Sequence, residues 1–273
     1  MTHTILVGAR PDAAGRDALA LGVDLARLLG AQVDVVGVGP PDGRLPRRSA
    51  LVGRLEELCA DLPADVGLSV DAVTGPSVLE ALHDRAVRDR ADVLVVGASH
   101  RGATGRALRG DLLAELLHRA PCALAVAPPG QATRQAATVG LAWDGSAEAD
   151  AALEWAIELA GRGERRLRVL GVLEPRHPEG RPLEPEARRR LDAVRETAAR
   201  RAHTELQVLW GEPVALLAGV SRDLGLLVLG SHAPGALSRA LHGSVSIEVV
   251  RRAACAVLLV AHGVRAPFAA LAP

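Results

Sequence analysis

The sequence predicts an α/β protein made of two tandem doubly wound domains, each built on a five-stranded parallel sheet. Three observations carry that reading. The chain repeats itself: TILVGARPDAAGRDALALGVDLARLLGAQVDVVGV from Thr4 runs in register with TVGLAWDGSAEADAALEWAIELAGRGERRLRVLGV from Thr138, placing Leu19 on Leu153 and Val38 on Val172. Short aliphatic runs alternate with longer amphipathic stretches, the pattern of parallel strands joined by helical crossovers. DVLVVG (residues 92–97) and LGLLVLG (residues 224–230) are continuous apolar runs ending in glycine, as expected of strands buried on both faces.

Taken in order, the first copy places strands at 4–9, 32–38, 68–73, 92–97 and 122–127. The second places them at 138–143, 167–173, 205–210, 226–230 and 255–260. Helical patterns fill the intervals. The last strands also correspond, APCALAVAP from Ala120 with AACAVLLVA from Ala253, which puts Cys122 on Cys255. The joint is APPGQATRQA (residues 127–136), short and rich in Pro, Gly and polar residues, so the domains are read as 1–134 and 135–273.

Composition bounds the function. The 273 residues are 49% hydrophobic, enough for two cores, and the formal net charge is zero, which argues against a nucleic-acid partner. Every basic residue is arginine; the chain has no lysine, asparagine or tyrosine. Cys59, Cys122 and Cys255 are odd in number and far apart, with no CxxC spacing, as expected of reduced, buried thiols. The opening MTHTILVGAR leads straight into a strand with no basic leader, and no apolar stretch is long enough to span a bilayer. A cytoplasmic protein without a membrane partner is expected.

In a doubly wound sheet, ligands sit at the carboxyl ends of the strands near the switch in strand order. Two loops of each copy reach that place. The loop after the first strand is ARPD in copy one and WDGS in copy two. After the fourth strand come GASHRGATGRALRGDLL (residues 97–113) and GSHAPGALSRALHGSVS (residues 230–246). Both loops reach a further glycine thirteen positions on, one residue after RAL, Gly110 and Gly243, but Asp111-Leu112-Leu113 follows one and Ser244-Val245-Ser246 the other.

At these residues the chain resembles a tandem universal stress protein, over nearly its whole length and in both copies. The resemblance implies a Rossmann-like domain of the adenine nucleotide alpha hydrolase type. It also implies the pattern Gly-x2-Gly-x9-Gly-(Ser/Thr) after the fourth strand of ATP-binding members, with an Asp after the first. Copy two keeps Gly230, Gly243, Ser244 and Asp144 but has Ala233, then Pro234, at the middle glycine. Copy one keeps Gly97 and Gly110 but has His100 at the middle glycine, Asp111 for the Ser and Arg10 where copy two has Asp144. The resemblance therefore implies ATP, with magnesium accompanying it, in the second domain only. Gly230, Gly243 and Ser244 would line the phosphates, with Ser231, His232, Val245 and Ser246 beside them. Asp144, with Gly145 and Ser146, would lie near ribose and adenine, and Val172 would meet adenine through its backbone.

The physics agrees with that division. Glycines let a backbone approach a phosphate and present N–H donors, and a helix start favours an anion. A carboxylate at Asp111 would oppose a phosphate by about 4 kcal/mol at about 4 Å and an effective dielectric near 20. The same residues have plainer readings: Ser244 as an N-cap, residues 144–146 as a turn plus cap, and Asp111 as a good cap in a copy that keeps the fold without ATP. Arg10, His100 and Arg101 could form a different anion site, whereas Arg101 and Arg106 also read as a solvated loop face. His83, His118, His203 and His242 are scattered surface or loop residues, and no Ser-His-Asp or metal-ligand constellation is legible, so no enzyme is expected. Residues 173–202, proline-rich and then basic, read as a partner or ligand lid or as an exposed connection and a charged outer helix face.

Two function classes follow: a cytosolic stress-response protein that binds an adenine nucleotide in its second domain as a regulator or sensor, or a scaffold that binds an unknown protein partner and no nucleotide. The resemblance further implies that the two fifth strands pair, since universal stress domains commonly associate through them and an exposed apolar edge invites pairing; it also allows a homodimer. Residues 137–273 expressed alone are therefore expected to aggregate or to dimerise through 255–261. A soluble, stable monomer in size-exclusion chromatography with light scattering would refute the pairing.

Overall fold

Aliphatic runs too short to be helices become strands, and the crossovers between them must be helices because parallel neighbours cannot be joined by a tight turn. The computed structural model describes residues 3–39, 45–63, 65–98, 113, 115–117, 119–131, 138–173, 185–231, 245–261, 263–264 and 266. The chain divides into two compact units, Met1–Arg134 and Gln135–Pro273.

Unit one runs β1 (His3–Gly8), α1 (Ala13–Leu29), β2 (Ala31–Gly39), α2 (Leu45–Cys59), β3 (Leu68–Thr74), α3 (Val78–Asp89), β4 (Val93–Gly97) and β5 (Ala123–Ala127). Leu113 and Glu115–Leu117, between β4 and β5, are also helical. Its strands are parallel in the order β3-β2-β1-β4-β5, with Ile5 in register with Val33 on one side and Val93 on the other. The starts of α1 and α3 are sealed by their own sequence. Asp12 caps α1, its Oδ1 accepting from the Gly15 N–H at 3.0 Å, and Gly30 ends that helix in the left-handed region at φ 63°. Ser77 caps α3 by accepting from Glu80 N–H at 3.1 Å. A glycine lets α1 lie close on the sheet: a Cβ at Gly22 would come within 2.5 Å of Val7 Cγ2.

Unit two repeats the plan: β6 (Thr138–Trp143), α4 (Ala147–Arg162), β7 (Arg166–Leu173), α5 (Pro185–Ala199), β8 (Thr204–Trp210), α6 (Pro213–Val220), a 3-10 turn at Ser221–Asp223, β9 (Leu226–Ser231), α7 (Val245–Arg252) and β10 (Ala256–Ala261). Its parallel order is β8-β7-β6-β9-β10. Glu212 caps α6 with both carboxylate oxygens, accepting from Val214 N–H at 2.9 Å and Ala215 N–H at 2.7 Å, which holds its carboxyl below the usual range. The buried Glu158 of α4 is held by Arg162 and Arg201. Every predicted strand is present, with ends displaced by at most one residue. In both units the order reverses beside the first strand, which has the second strand on one side and the fourth on the other. That crevice is where a doubly wound sheet places a ligand.

None of the three cysteines is in a disulfide, and all three are buried. Burial pushes the Cys122 thiol up to about 12, and burial together with the Glu56 charge raises that of Cys59. Neither forms thiolate at neutral pH, and the thiolate is the reactive species. Ellman titration of the native protein at pH 8 should therefore show no fast phase, with three thiols appearing on addition of denaturant. Rapid stoichiometric reaction of the native chain would contradict this packing.

Candidate functional site

The crevice of unit two is assembled from β6, β9 and the helices that follow them. Asp144, Gly145 and Ser146 form the turn between β6 and α4. Asp144 is exposed, and its Oδ1 accepts from Ser146 N–H at 2.9 Å. Gly145 supplies the left-handed backbone at φ 84°. Ser146 is the N-cap, its hydroxyl accepting from Ala149 N–H at 3.1 Å. The turn-and-cap reading of this stretch is thus what the local geometry shows, and it leaves the Asp144 carboxylate at the mouth of the crevice.

Gly230 explains why β9 ends in glycine. A Cβ there would lie 2.5 Å from the Glu148 carbonyl carbon and 2.6 Å from Ala149 N, so the strand end and the start of α4 touch backbone to backbone. Ser246, in the first turn of α7, donates its hydroxyl to the Gly230 carbonyl at 3.3 Å. Ser231 is 2% exposed, and its hydroxyl has no hydrogen-bond partner among the described residues. Val245 opens α7 and is exposed. Val172 lies near the end of β7, one strand away, half-buried and in register with Leu209. Gly230, Ser231, Ser246 and the 144–146 turn are therefore brought together around the start of α4. His232, Gly243 and Ser244, with Ala233 and Pro234, lie outside the described residues.

One contributor lies in the stretch that sequence reasoning left open between a lid and a charged outer face. Arg190 of α5 donates from Nη2 to the Gly145 carbonyl at 2.8 Å, and its guanidinium carbon lies 5.2 Å from the centre of the Trp143 ring, a cation–π contact. Trp143 is itself oriented by Nε1 donating to Asp150 Oδ1 at 2.9 Å. No carboxylate among the described residues reaches Arg190. Leu191, the next residue, is buried and packs on Gly171, so Arg190 borders the inward face of α5, a placement that the run of arginines at 188–190 does not reveal.

Unit one has the same scaffold with different charge. A Cβ at Gly97 would lie 2.2 Å from the Ala14 carbonyl oxygen, repeating the contact at Gly230. The cap of α1 is a carboxylate. Partial burial pushes the Asp12 carboxyl up, but bonds from Arg10 and from the Gly15 and Ala14 N–H groups outweigh it and hold it below the usual range. Arg10 pairs with the cap residue: its Nε donates to Asp12 Oδ2 at 2.9 Å and its Nη2 pairs with the same oxygen. His100, Arg101, Arg106, Gly110 and Asp111 lie outside the described residues. Among the described residues, no cluster of His, Cys, Asp or Glu could hold a metal ion, and no helix is long and apolar enough to cross a membrane.

The model of the universal stress protein family matches residues 1–128 and 137–261, one match in each unit. The chain belongs to the universal stress protein family. Within it, Universal stress protein Rv2005c of Mycobacterium tuberculosis is 38% identical over 63 residues, a stretch that is 23% of this chain and 21% of that protein. Among solved structures, a universal stress protein from Archaeoglobus fulgidus superposes with a TM-score of 0.69 at 16% identity, covering 94% of this chain and 95% of the other. A putative universal stress protein from Pseudomonas aeruginosa gives 0.70 at 16% identity, covering 95% and 93%. These likenesses show that this universal stress protein shares the fold of both over nearly its full length.

The helix-to-strand contact predicts a contrast between glycines. Gly230→Ala or Gly97→Ala should destabilise by about 1–3 kcal/mol, because backbone rather than a flexible side chain must give way. Gly219, exposed in α6 with nothing within 4 Å of its missing Cβ, should instead gain about 0.5–1 kcal/mol on substitution by Ala. Urea denaturation measures all three; a neutral Gly230→Ala would show that the contact relaxes.

Proposed function

We propose that this universal stress protein binds one adenine nucleotide per chain, in unit two, and acts as a stress-response regulator or nucleotide sensor rather than an enzyme. The observation that carries the reading is the contrast at two equivalent helix starts. In unit one an ionised carboxylate, Asp12, occupies the α1 N-terminus. In unit two the equivalent cap is the neutral Ser146, with the Arg190 guanidinium on the carbonyl of the preceding Gly145. A helix N-terminus attracts an anion, and a fixed carboxylate there cancels that attraction.

The residues present fit a nucleotide. Ser231 has a buried hydroxyl at the strand end with no partner among the described residues, and Gly230 presents backbone where a side chain cannot stand. In this reading Gly230, Ser231, Gly243, Ser244, Val245 and Ser246 surround the phosphates, with His232 beside them. Asp144, Gly145 and Ser146 face the sugar, and Val172 offers its backbone to the base. Arg190 adds the cation that the glycine motif lacks, donating to the phosphate chain or stacking on the base. Magnesium would be brought by the nucleotide's own phosphates. The regulatory output would pass to a protein partner.

Isothermal titration calorimetry with ATP should give a stoichiometry near one. Arg190→Ala should weaken binding by about tenfold, the effect of losing one charge-assisted contact. Ser244→Asp should remove binding at an unchanged melting temperature, since Asp also caps helices. A stoichiometry near two would overturn the assignment to one unit. An absence of binding would favour the scaffold reading.

A further inference from the structure

The crevice of unit one is a formed cavity. It is a half-open cleft with a volume of about 110 Å³, and it lies at the carboxyl ends of β1, β2 and β4 against the start of α3. Its walls are aliphatic: Val36 and Val38 from β2, Val96 from β4, Val78 and Leu82 from α3, and Leu116. Val78 is 52% exposed at the rim, an apolar side chain placed where an occupant would cover it. Arg10 and Asp12 are the only charged side chains of the described lining. They are bound to each other, and Asp12 also accepts from the Gly15 N–H, so cation, carboxylate and helix N-terminus satisfy one another.

We propose that unit one binds a neutral, largely apolar small molecule in this cavity. An anion entering it would meet the Asp12 carboxylate at the helix start and an arginine already committed to that carboxylate. A cation would meet aliphatic walls, and the one carboxylate of the described lining is already paired with Arg10. A neutral ring system would lose only water from apolar surface, which is favourable, and would disturb none of the polar bonds at the rim. The loss of the nucleotide pattern in copy one is then a change of ligand class. The proposal stands whether or not unit two binds a nucleotide.

Two probes that share a ring skeleton isolate the charge. N-phenyl-1-naphthylamine is neutral, and 1-anilinonaphthalene-8-sulfonate adds one negative charge. By fluorescence titration of the full chain, the neutral probe should saturate at one site per chain, with the sulfonate at least about tenfold weaker. Val78→Asp, at a half-exposed rim position, should weaken the neutral probe by about tenfold or more at an unchanged melting temperature. Asp12→Asn keeps a cap and releases Arg10, so it should narrow the gap between the probes by roughly threefold or more. Saturating ATP should leave the neutral probe in place. Sulfonate binding as tight as the neutral probe, indifference to both substitutions, or displacement by ATP would each overturn the proposal.

Discussion

The rest of the molecule depends on one close approach, where the first helix of each unit meets the end of its fourth strand. At Gly97 and at Gly230 no side chain fits, because helix backbone stands 2.2 to 2.5 Å from where a Cβ would be. This contact fixes the direction of α1 and α4 relative to the sheet. It therefore fixes where their unpaired N–H groups emerge, which is the crevice between the first and fourth strands. The glycine at the end of the fourth strand is thus first a packing requirement. Whatever it does for a ligand follows from having brought a helix start to the strand end.

A shared scaffold leaves the charge at that helix start free to vary. Asp12 and Ser146 occupy equivalent places, two residues beyond Arg10 and Asp144, and each accepts from the N–H three residues on. Asp and Ser are nearly equal as caps, so the exchange costs the fold little. For a ligand it is decisive, because one cap carries a full negative charge and the other none. Duplication lets each unit carry a different cap while α1 and α4 keep the same backbone approach to the end of their fourth strands.

Much of the fold was legible. Strands such as DVLVVG and LGLLVLG are buried on both faces and close with a glycine that packing demands, so sequence marks their ends to within a residue. The tight turn at 144–146 was legible for the same reason: Asp, Gly and Ser each serve a local backbone need. The site was less so. Arg190 acts on Gly145 from 45 positions away along the chain, through a long side chain whose direction is set by Leu191 packing on Gly171. Nothing local distinguishes it from Arg188 and Arg189, which pair with Asp192 and Glu186 on the helix surface. The pairing of Arg10 with Asp12 was hidden by alignment, which compares Arg10 with Asp144 and overlooks its neighbour two residues on.

The two crevices also share more than the scaffold. The residues beneath the unit-one cavity, Val36, Val38 and Val96, correspond to Leu170, Val172 and Leu229, which are aliphatic as well. Such a floor is a by-product of strands made to be buried on both faces, and it suits the flat face of a base as well as any neutral ring. The floor therefore does little to select a ligand. Selection rests with the rim, where unit one closes its charges into an Arg10–Asp12 pair and unit two leaves Asp144 in solvent and Arg190 on a carbonyl and an aromatic face. A few side chains at the rim can thus redirect a site whose walls and backbone are set by folding alone, because the rim residues bear almost none of the packing that the sheet and its helices require.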